Sequence, residues 1–405
     1  MATKTTFIAL LLVFVCVGLL FAGGTENKIN TGAGYARFPA KSTECKKPDA
    51  VFHNPAGTAF MKDGLYVEAG NQFLYKEYSN KFGGETYKTD VPTYFYPDFN
   101  LVWKKGDTAL FTGLSVEYGG GEVKYDKGNA MTIGALKNLN PALATLGHSL
   151  EAYSVIMTET VGLSHVVWED HLSVAAAVRI LWGDQNIKIK LDDTPAAALQ
   201  PYLGTSKTLA DTEADGFGMG GVLSVHFKPI KTVDIAATYH TEAIIDYEYK
   251  KAKGAGAALL GANKGDHYSY VLPALLTAGV GWQIIPQLYV AAGFEYYFNK
   301  LADYDYDDAW GINFAAEYQI TKMLAVSLGG FYTNIGSNSK DEGNNFTNPV
   351  LDSFTYCGGF GLTFFDDLTI DIGAFYVQYF GETWKNVKLN KKIFEGAISA
   401  TYRFF

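Results

Sequence analysis

The sequence predicts an all-β fold: a transmembrane antiparallel β-barrel of about 14 strands with a small N-terminal helical plug. From residue 64 onward, apolar side chains alternate with mixed ones at the period of a β-strand, over segments of about ten residues. The chain also contains 43 Gly, 27 Tyr and 27 Phe, yet its mean hydropathy is zero. Such a composition is typical of outer-membrane barrels, which have aromatic residues at both membrane interfaces and a polar lumen.

Residues 1–24 have the features of a signal peptide. Lys4 precedes an apolar run from Phe7 to Phe21, and the small residues Ala22, Gly23 and Gly24 follow it. This order is that of an export signal with a signal-peptidase site. A membrane anchor is the alternative, but the run is short for a spanning helix and lacks a basic flank.

Residues 25–63 are predicted to form the plug. Its central stretch, DAVFHNPAGTAFMKDG, spans residues 49–64 and has the pattern of a short helix. Asn54 is expected to cap this helix with its side-chain oxygen, and Pro55 suits the first helical position because its missing N–H would be unpaired there.

Residues 64–405 are predicted to form the barrel wall. Fourteen segments show the alternation: 65–75, 92–105, 108–118, 151–165, 171–182, 217–227, 233–249, 268–283, 287–299, 309–319, 323–334, 353–365, 368–379 and 391–405. Short connections alternate with long ones, which are 119–150, 183–216, 250–267 and 335–352. Outer-membrane barrels show this asymmetry, with the short turns in the periplasm.

Two other folds are less consistent with this pattern. Strands of a soluble β-sandwich or propeller average about five or six residues and turn their apolar face inward. Residues 268–294 carry no charge and suggest a membrane helix, but prolines interrupt them. A hairpin that turns at Ile285 and Pro286 accounts for these prolines.

Cys45 and Cys357 are the two cysteines that remain after the signal. They are too few for a disulfide scaffold. The sequence leaves open one bridge from the plug to the wall, so most of the stability is expected to come from other interactions.

Three stretches carry a family resemblance. They are the motif Asn54-Pro55-Ala56-Gly57 within AVFHNPAG, the strand opening Leu272-Pro273, and a block from Gly216 to Thr241. That block contains a glycine-rich strand, a short turn and a strand that ends in tyrosine. On these residues the chain resembles the FadL-type family of outer-membrane transporters for long-chain fatty acids and related hydrophobic compounds.

The C-terminus departs from the usual pattern of such barrels. Counting back in twos from Phe405 meets Arg403 and Thr401, where aromatic or apolar residues are usual. The terminal apolar face is instead formed by Phe404, Tyr402, Ala400 and Ile398. Recognition by the barrel-assembly machinery, an expected partner during biogenesis, is therefore expected to differ in detail.

The resemblance implies passive uptake of hydrophobic small molecules, long-chain fatty acids first, across the bacterial outer membrane. Movement of the plug is expected to gate uptake, with Asn54–Gly57 as gating residues and Phe52 and Phe60 as apolar ligand contacts. Outer-membrane lipids are the other expected partners. An adhesin or structural barrel that uses its long extracellular loops is the alternative, and the formal net charge of −9 at pH 7 argues against nucleic acid as a partner.

No enzyme, cofactor or metal is predicted. Gly216–Gly221 satisfies G-x-G-x-x-G, but the dinucleotide motif needs a helix after it and a strand follows here. His165 and His171 flank a turn without a zinc motif. The acidic loop at 303–308 lacks the Gly and Glu that a calcium loop requires.

Overall fold

Antiparallel strands form a closed barrel in the computed structural model. The structure describes residues 31–405 except 260, 303–306, 337–344 and 366. The predicted signal peptide and Asp303, Asp305 and Asp366 lie outside the described residues. The strands are β1 Gly64–Phe82, β2 Glu85–Thr89, β3 Thr93–Lys105, β4 Thr108–Tyr125, β5 His148–Trp168, β6 Leu172–Leu191, β7 Thr208–Ile230, β8 Val233–His240, β9 Ala243–Lys253, β10 His267–Leu272, β11 Leu275–Ile285, β12 Leu288–Tyr297, β13 Ala309–Gln319, β14 Leu324–Asn334, β15 Ser353–Phe364, β16 Leu368–Tyr379, β17 Glu382–Trp384 and β18 Val387–Arg403.

The predicted fourteen-strand wall is confirmed. When the interrupted strands are counted as one, each wall strand pairs with the preceding and the following one. β1 closes the sheet by pairing with β18 from Tyr66↔Arg403 to Lys81↔Lys388. Three wall strands are interrupted and appear as the pairs β2–β3, β8–β9 and β10–β11, while β17 forms a short hairpin with β18. The wall therefore closes on itself with fourteen crossings, as a membrane-spanning sheet requires.

The short helices lie in the N-terminal segment and in the connections. The α-helices are α1 Gly32–Arg37, α2 Ala50–His53, α3 Ala130–Leu139, α4 Gln200–Leu203 and α5 Ala255–Leu259. The 3₁₀ helices are Lys41–Thr43, Pro55–Phe60, Pro141–Thr145 and Lys300–Ala302. Among the described residues, no helix has the length and hydropathy to span a bilayer.

The wall is apolar outside and polar inside. Each of the fourteen crossings exposes a large apolar side chain: Phe73, Trp103, Leu110, Leu163, Val178, Leu223, Ile235, Val280, Phe294, Phe314, Leu328, Phe360, Ile372 and Ile398. Each also buries a polar side chain in the lumen: Glu68, Asn100, Ser115, Ser164, Ser173, His226, Thr238, Thr277, Glu295, Asn313, Ser327, Thr355, Asp371 and Ser399. This inverts the pattern of a soluble protein and suits a barrel surrounded by lipid. The predicted outer-membrane location is confirmed.

The two ends of the barrel differ as predicted, but the strands reach further than expected. Residues 119–125 and 148–150, expected in a loop, belong to β4 and β5, which remain paired to Tyr125↔Leu150. Residues 183–191 and 208–216 likewise belong to β6 and β7. The prediction of long loops was wrong at these bounds. Strand pairing continues there because inward apolar residues of these strands pack with α3 and α4 into a core at the end of the barrel that carries the long connections.

The C-terminal strand presents the apolar face that the sequence indicates. Ile398, Tyr402 and Phe404 are 45%, 44% and 56% exposed, whereas Thr401 is buried in the lumen. The outward side of β18 is therefore aromatic and aliphatic although Arg403 stands near its end.

Candidate functional site

The N-terminal segment from residue 31 to residue 63, here called the luminal segment, fills the inside of the barrel. Helix α1 packs on β1, β14, β15, β16 and β18, and the turn Lys41–Thr43 packs on β8, β11 and β12. The turn Pro55–Phe60 packs on β3 to β7. The segment therefore touches strands on all sides of the wall, and it leads directly into β1 at Gly64.

A buried ion network joins α1 to the wall. Arg37 pairs with Asp371 of β16 at 2.7 Å and with Glu317 of β13, and it also donates to Ser327 of β14. Lys47 adds a second cation, 2.7 Å from Asp371. Burial would lower the pKa of Arg37, but the carboxylates of Asp371 and Glu317 raise it, so the guanidinium stays charged.

A second network folds the luminal segment on itself. The Lys41 ammonium lies 2.6 Å from a carboxylate oxygen of Asp49 and 2.6 Å from one of Glu44. Burial would raise the pKa of Glu44, but the nearby charge of Lys41 lowers it below its ordinary value. A side chain at Gly34 would not fit here, since its Cβ would lie 2.2 Å from Asp49 Oδ2.

Asn54 connects the luminal segment to β7 and does not cap a helix. It follows the last residue of α2, and its side chain makes no capping hydrogen bond. Its Nδ2 instead donates to the Glu44 carbonyl at 2.9 Å and lies 2.7 Å from His226 Nδ1. Ser224 Oγ lies 3.3 Å from Asn54 Oδ1 and donates to it. The predicted cap was wrong because the fully buried side chain points sideways into the wall and not toward the following turn.

The rest of the predicted motif continues this junction. Pro55 begins the 3₁₀ helix, as expected for a residue without an N–H. The Ala56 carbonyl accepts a hydrogen bond from Ser173 Oγ of β6 at 2.7 Å. Gly57 leaves no room for a side chain, because a Cβ there would lie 2.0 Å from the Glu44 carbonyl oxygen. The motif thus allows close approach both within the luminal segment and to the wall.

Phe52 and Phe60 contact the wall. Phe52 is 8% exposed, and its ring lies against Gly113 of β4. The Phe60 ring meets His226 edge-on at 5.2 Å, and the Lys228 ammonium lies 4.5 Å from its centre. These contacts fix both rings at the boundary between the luminal segment and the wall, and their role as ligand contacts stays a prediction.

Cys45 and Cys357 are both free and buried. The disulfide that the sequence left open is therefore absent. Burial raises the pKa of Cys45 to about 12, which keeps it a thiol.

The lumen becomes apolar between the luminal segment and the end of the barrel that carries the long connections. Tyr247 of β9 and Tyr268 of β10 stack with ring centres 5.1 Å apart and an interplanar angle of 7°. Other apolar side chains join them in one buried cluster that we call the aromatic patch: Tyr118, Ile156, Leu181, Ile245, Tyr249 and Leu272, with Ala214, Ala243 and Ala262. These side chains form a buried apolar region inside the otherwise polar barrel.

The wall is interrupted between β3 and β4 at the level of this patch. Their ladder runs from Lys105↔Thr108 to Asp98↔Ser115 and ends there. Beyond that point β4 has two irregularities in its pairing with β5, between residues 116 and 118 and between 118 and 121. Side chains of β3 replace the missing ladder bonds, since Tyr96 donates to the Gly119 carbonyl at 3.0 Å and Thr93 donates to the Gly120 carbonyl at 2.7 Å.

Known proteins share this architecture without a close sequence match. No protein-family model matches the chain, and neither does any curated protein. The structure of a Pseudomonas aeruginosa FadL homologue superposes with a TM-score of 0.69 at 16% identity, over 93% of this chain and 98% of that one. The chain has the FadL-type fold.

Two further solved structures show the same likeness. The Pseudomonas putida toluene transporter TodX matches with a TM-score of 0.69 at 17% identity, over 92% of this chain and 98% of that one. The Ralstonia pickettii toluene transporter TbuX matches with a TM-score of 0.64 at 16% identity, over 91% and 99%. The FadL-type resemblance read from the sequence is thus confirmed at the level of the fold.

The stretches that suggested the FadL-type fold lie at a strand interruption and in the hairpin of β7 and β8. Leu272 ends β10 and Pro273 separates it from β11. The block from Gly216 to Thr241 forms most of β7, the turn at residues 231–232, and β8. The glycines of β7 lie where wall side chains approach the strand: a Cβ at Gly216 would lie 2.7 Å from the Tyr247 ring.

Sequence reasoning missed the aromatic patch and the wall residues that hold Asn54. A signal for the patch exists, because Tyr247 and Tyr249 alternate on one strand and Tyr268 and Tyr270 alternate on the next. Their register, Tyr247↔Tyr268, brings the rings together. No comparable local signal marks Ser224 or His226, which lie about 170 residues from Asn54 along the chain.

Proposed function

We propose that this protein is an outer-membrane channel, not an enzyme, for passive uptake of hydrophobic small molecules. The observation that carries the proposal is that Tyr118 belongs to the aromatic patch and also lies within the irregular part of β4. A buried apolar region inside the barrel thereby reaches the interrupted part of the wall. A structural barrel, or an adhesin that works through its loops, does not require an apolar region that leads to a break in the wall.

We propose that the luminal segment acts as the plug. It is tied to the wall by ion pairs and side-chain hydrogen bonds, such as those of Arg37 and Asn54. Apolar contacts add to these, since Tyr35, Phe38 and Val51 pack in clusters with wall residues. The polar contacts are exchanged for water at small net cost, whereas the apolar contacts oppose complete release, so the movement that we propose is a limited shift. Asn54–Gly57 form the junction that such a shift must break.

Long-chain fatty acids are the first substrates that we propose, and toluene is the second because TodX and TbuX are described as toluene transporters. An acyl chain of sixteen carbons gains on the order of 10 kcal/mol by leaving water. Passage along the charged surroundings of Arg37 and Lys41 would forfeit that gain. Exit sideways, from the aromatic patch past Gly119 and Gly120 into the membrane, keeps the chain in apolar surroundings throughout.

Replacement of Tyr118 by Asp tests the proposed function. A charge in the aromatic patch should lower uptake of labelled oleate and toluene at least about tenfold, because an apolar solute would meet an unpaired carboxylate. Tyr202→Asp is the matched control, since Tyr202 is 47% exposed in α4 and should tolerate the change. Cells that express equal amounts of folded barrel are compared, and unchanged uptake by Tyr118→Asp would refute the route.

A further inference from the structure

Three side chains of metal-binding type meet at the boundary between the luminal segment and the wall. Cys45 comes from the luminal segment, His226 from β7 and Asp234 from β8, and all three are buried. Their ligand atoms all lie within 4.8 Å of one another. His226 Nε2 is 2.9 Å from Asp234 Oδ1, and Cys45 Sγ is 3.9 Å from the same oxygen.

The donor set and its spacing suit Zn²⁺. Thiolate, imidazole and carboxylate are the protein ligands of this ion, which prefers tetrahedral coordination. Ordinary zinc–ligand bond lengths place neighbouring ligand atoms roughly 3.4–3.6 Å apart. The contact between Cys45 and Asp234 is already close to that range, and the contact between His226 and Asp234 has to widen by only about 0.5 Å.

A cation already occupies this position. The Lys228 ammonium lies 3.6 Å from Cys45 Sγ and 3.6 Å from Asp234 Oδ1. Its side chain is 21% exposed and stands on a flexible stem, so the ammonium is able to move into water. The cluster therefore favours positive charge, and a metal ion is able to take the place of the ammonium.

Asn54, which contacts the imidazole of His226, has to reorient when a metal ion replaces the Lys228 ammonium. In the structure its Nε2 faces Asp234 and its Nδ1 faces the amide nitrogen of Asn54, so the proton lies on Nε2. Coordination through Nε2 requires the proton on Nδ1. The Asn54 amide then has to turn its oxygen toward the ring, which breaks its hydrogen bond to the Glu44 carbonyl.

We propose that Cys45, His226 and Asp234 bind one Zn²⁺ in exchange for the Lys228 ammonium and so cross-link the luminal segment to β7 and β8. The Cys45 thiol loses its proton to solvent as the sulfur–zinc bond forms. One zinc bond to the luminal segment and two to the wall then join them, where the metal-free protein has hydrogen bonds. The site stands on geometry alone and does not depend on the proposed transport function.

Titration of the purified full chain in mild detergent, freed of metal, tests the proposal. Co²⁺ alone should bind with one equivalent and give a thiolate-to-cobalt charge-transfer absorption, and Zn²⁺ should displace it. Cys45→Ser should remove the absorption and weaken Zn²⁺ binding at least about tenfold. Lys228→Met, which keeps the stem and removes the competing charge, should strengthen binding several-fold, while Cys357→Ser, which alters the other buried thiol, should leave it unchanged.

The proposal is overturned if the wild-type chain shows no stoichiometric metal binding, or if the charge-transfer absorption persists in Cys45→Ser. Heat-modifiable gel migration shows whether each variant has folded. If Cys45→Ser does not fold, maleimide labelling of Cys45 itself tests the site. In the Cys357→Ser background, Zn²⁺ should slow maleimide labelling of Cys45 at least about tenfold, and equal labelling with and without Zn²⁺ also refutes the site.

Discussion

At the scale of single residues, Asn54 carries the closest link between the sequence and the proposed mechanism. The motif around it was recognisable as a plug motif, but the role of its side chain was not. A cap is a local interaction that neighbouring residues reveal, whereas the contacts of Asn54 with Ser224 and His226 depend on how the barrel closes. Only the folded chain brings these groups together.

Replacement of Asn54 by Ala should loosen the luminal segment and leave the barrel intact. The change removes the Asn54 partner of the Glu44 carbonyl and of His226 Nδ1, at a cost of about 1–3 kcal/mol, while Ser224 keeps its hydrogen bond with Thr238. We expect faster proteolysis within residues 31–63 and altered uptake of labelled fatty acid at equal surface abundance. Asn263→Ala, in an exposed loop, is the control. Proteolysis and uptake equal to wild type would show that Asn54 does not hold the segment.

His53 should make the luminal segment sensitive to pH. Burial, together with the charge of Lys41, lowers the pKa of His53 from 6.5 to about 3, while Glu44 acts in the opposite direction. A released segment takes up a proton below pH 6.5, but the bound one does not until about pH 3. The contribution of His53 therefore destabilises the bound state as the pH falls below 6.5, by about 2 kcal/mol at pH 5. Burial raises the pKa of Asp49, which acts in the opposite direction.

Limited proteolysis of the luminal segment at pH 8 and pH 5 measures this effect. Cleavage should accelerate at pH 5 in the wild-type chain and in His267→Gln, whose histidine is exposed. His53→Gln should show less acceleration because it cannot take up the proton. If His53→Gln retains the full pH dependence, another group is responsible.

At the scale of elements, the sequence predicted strands best where they cross the membrane. β13 and β16 have the predicted bounds, 309–319 and 368–379. Lipid on one side and a polar lumen on the other impose strict alternation there, and short turns mark both ends. β6 and β7 extend beyond their predicted bounds because their outer parts leave the lipid. The outward side chains become polar there, so an apolar face no longer marks the strand in the sequence.

The contact between α1 and β13 should show strong coupling. Arg37→Met leaves Glu317 and Asp371 with less compensating charge, which should destabilise the bound luminal segment by about 3 kcal/mol. Adding Glu317→Gln to Arg37→Met should recover part of the lost stability. The double-mutant cycle of these two changes should give a coupling energy of at least about 1 kcal/mol. The measurement is the release of the luminal segment at increasing denaturant concentration, which proteolysis of the released segment monitors.

The exposed pair Lys300–Asp307 is the matched control for this cycle, with 2.6 Å between its charged atoms and side chains 63% and 65% exposed. The corresponding changes, Lys300→Met and Asp307→Asn, should give a coupling energy of less than about 1 kcal/mol. Equal coupling in both cycles would mean that the buried network contributes no more than a surface pair.

At the scale of the whole molecule, the chain combines an apolar outside, a polar lumen closed by its own N-terminal segment, and an aromatic patch that reaches an interrupted wall. Composition and alternation were enough to predict the barrel, its strand number and its membrane location. The patch and the interruption were not predicted, because both depend on register. Tyr118 faces the lumen beside Ile156 only because β4 holds extra residues relative to β5.

Uptake by a chain that lacks Gly119 and Gly120 tests the proposed route most directly. β4 has two more residues than β5 between the pairs Val116↔Met157 and Gly121↔Ser154, so this deletion restores the register. Side chains before Val116 and after Gly121 keep their faces, while Tyr118 turns away from the lumen. Deletion of Asn263 and Lys264 from an exposed loop is the control. We predict that uptake of labelled oleate falls at least about tenfold in the first deletion and is unchanged in the second, with both barrels folded. Wild-type uptake by the chain without Gly119 and Gly120 would contradict passage through the wall at this point.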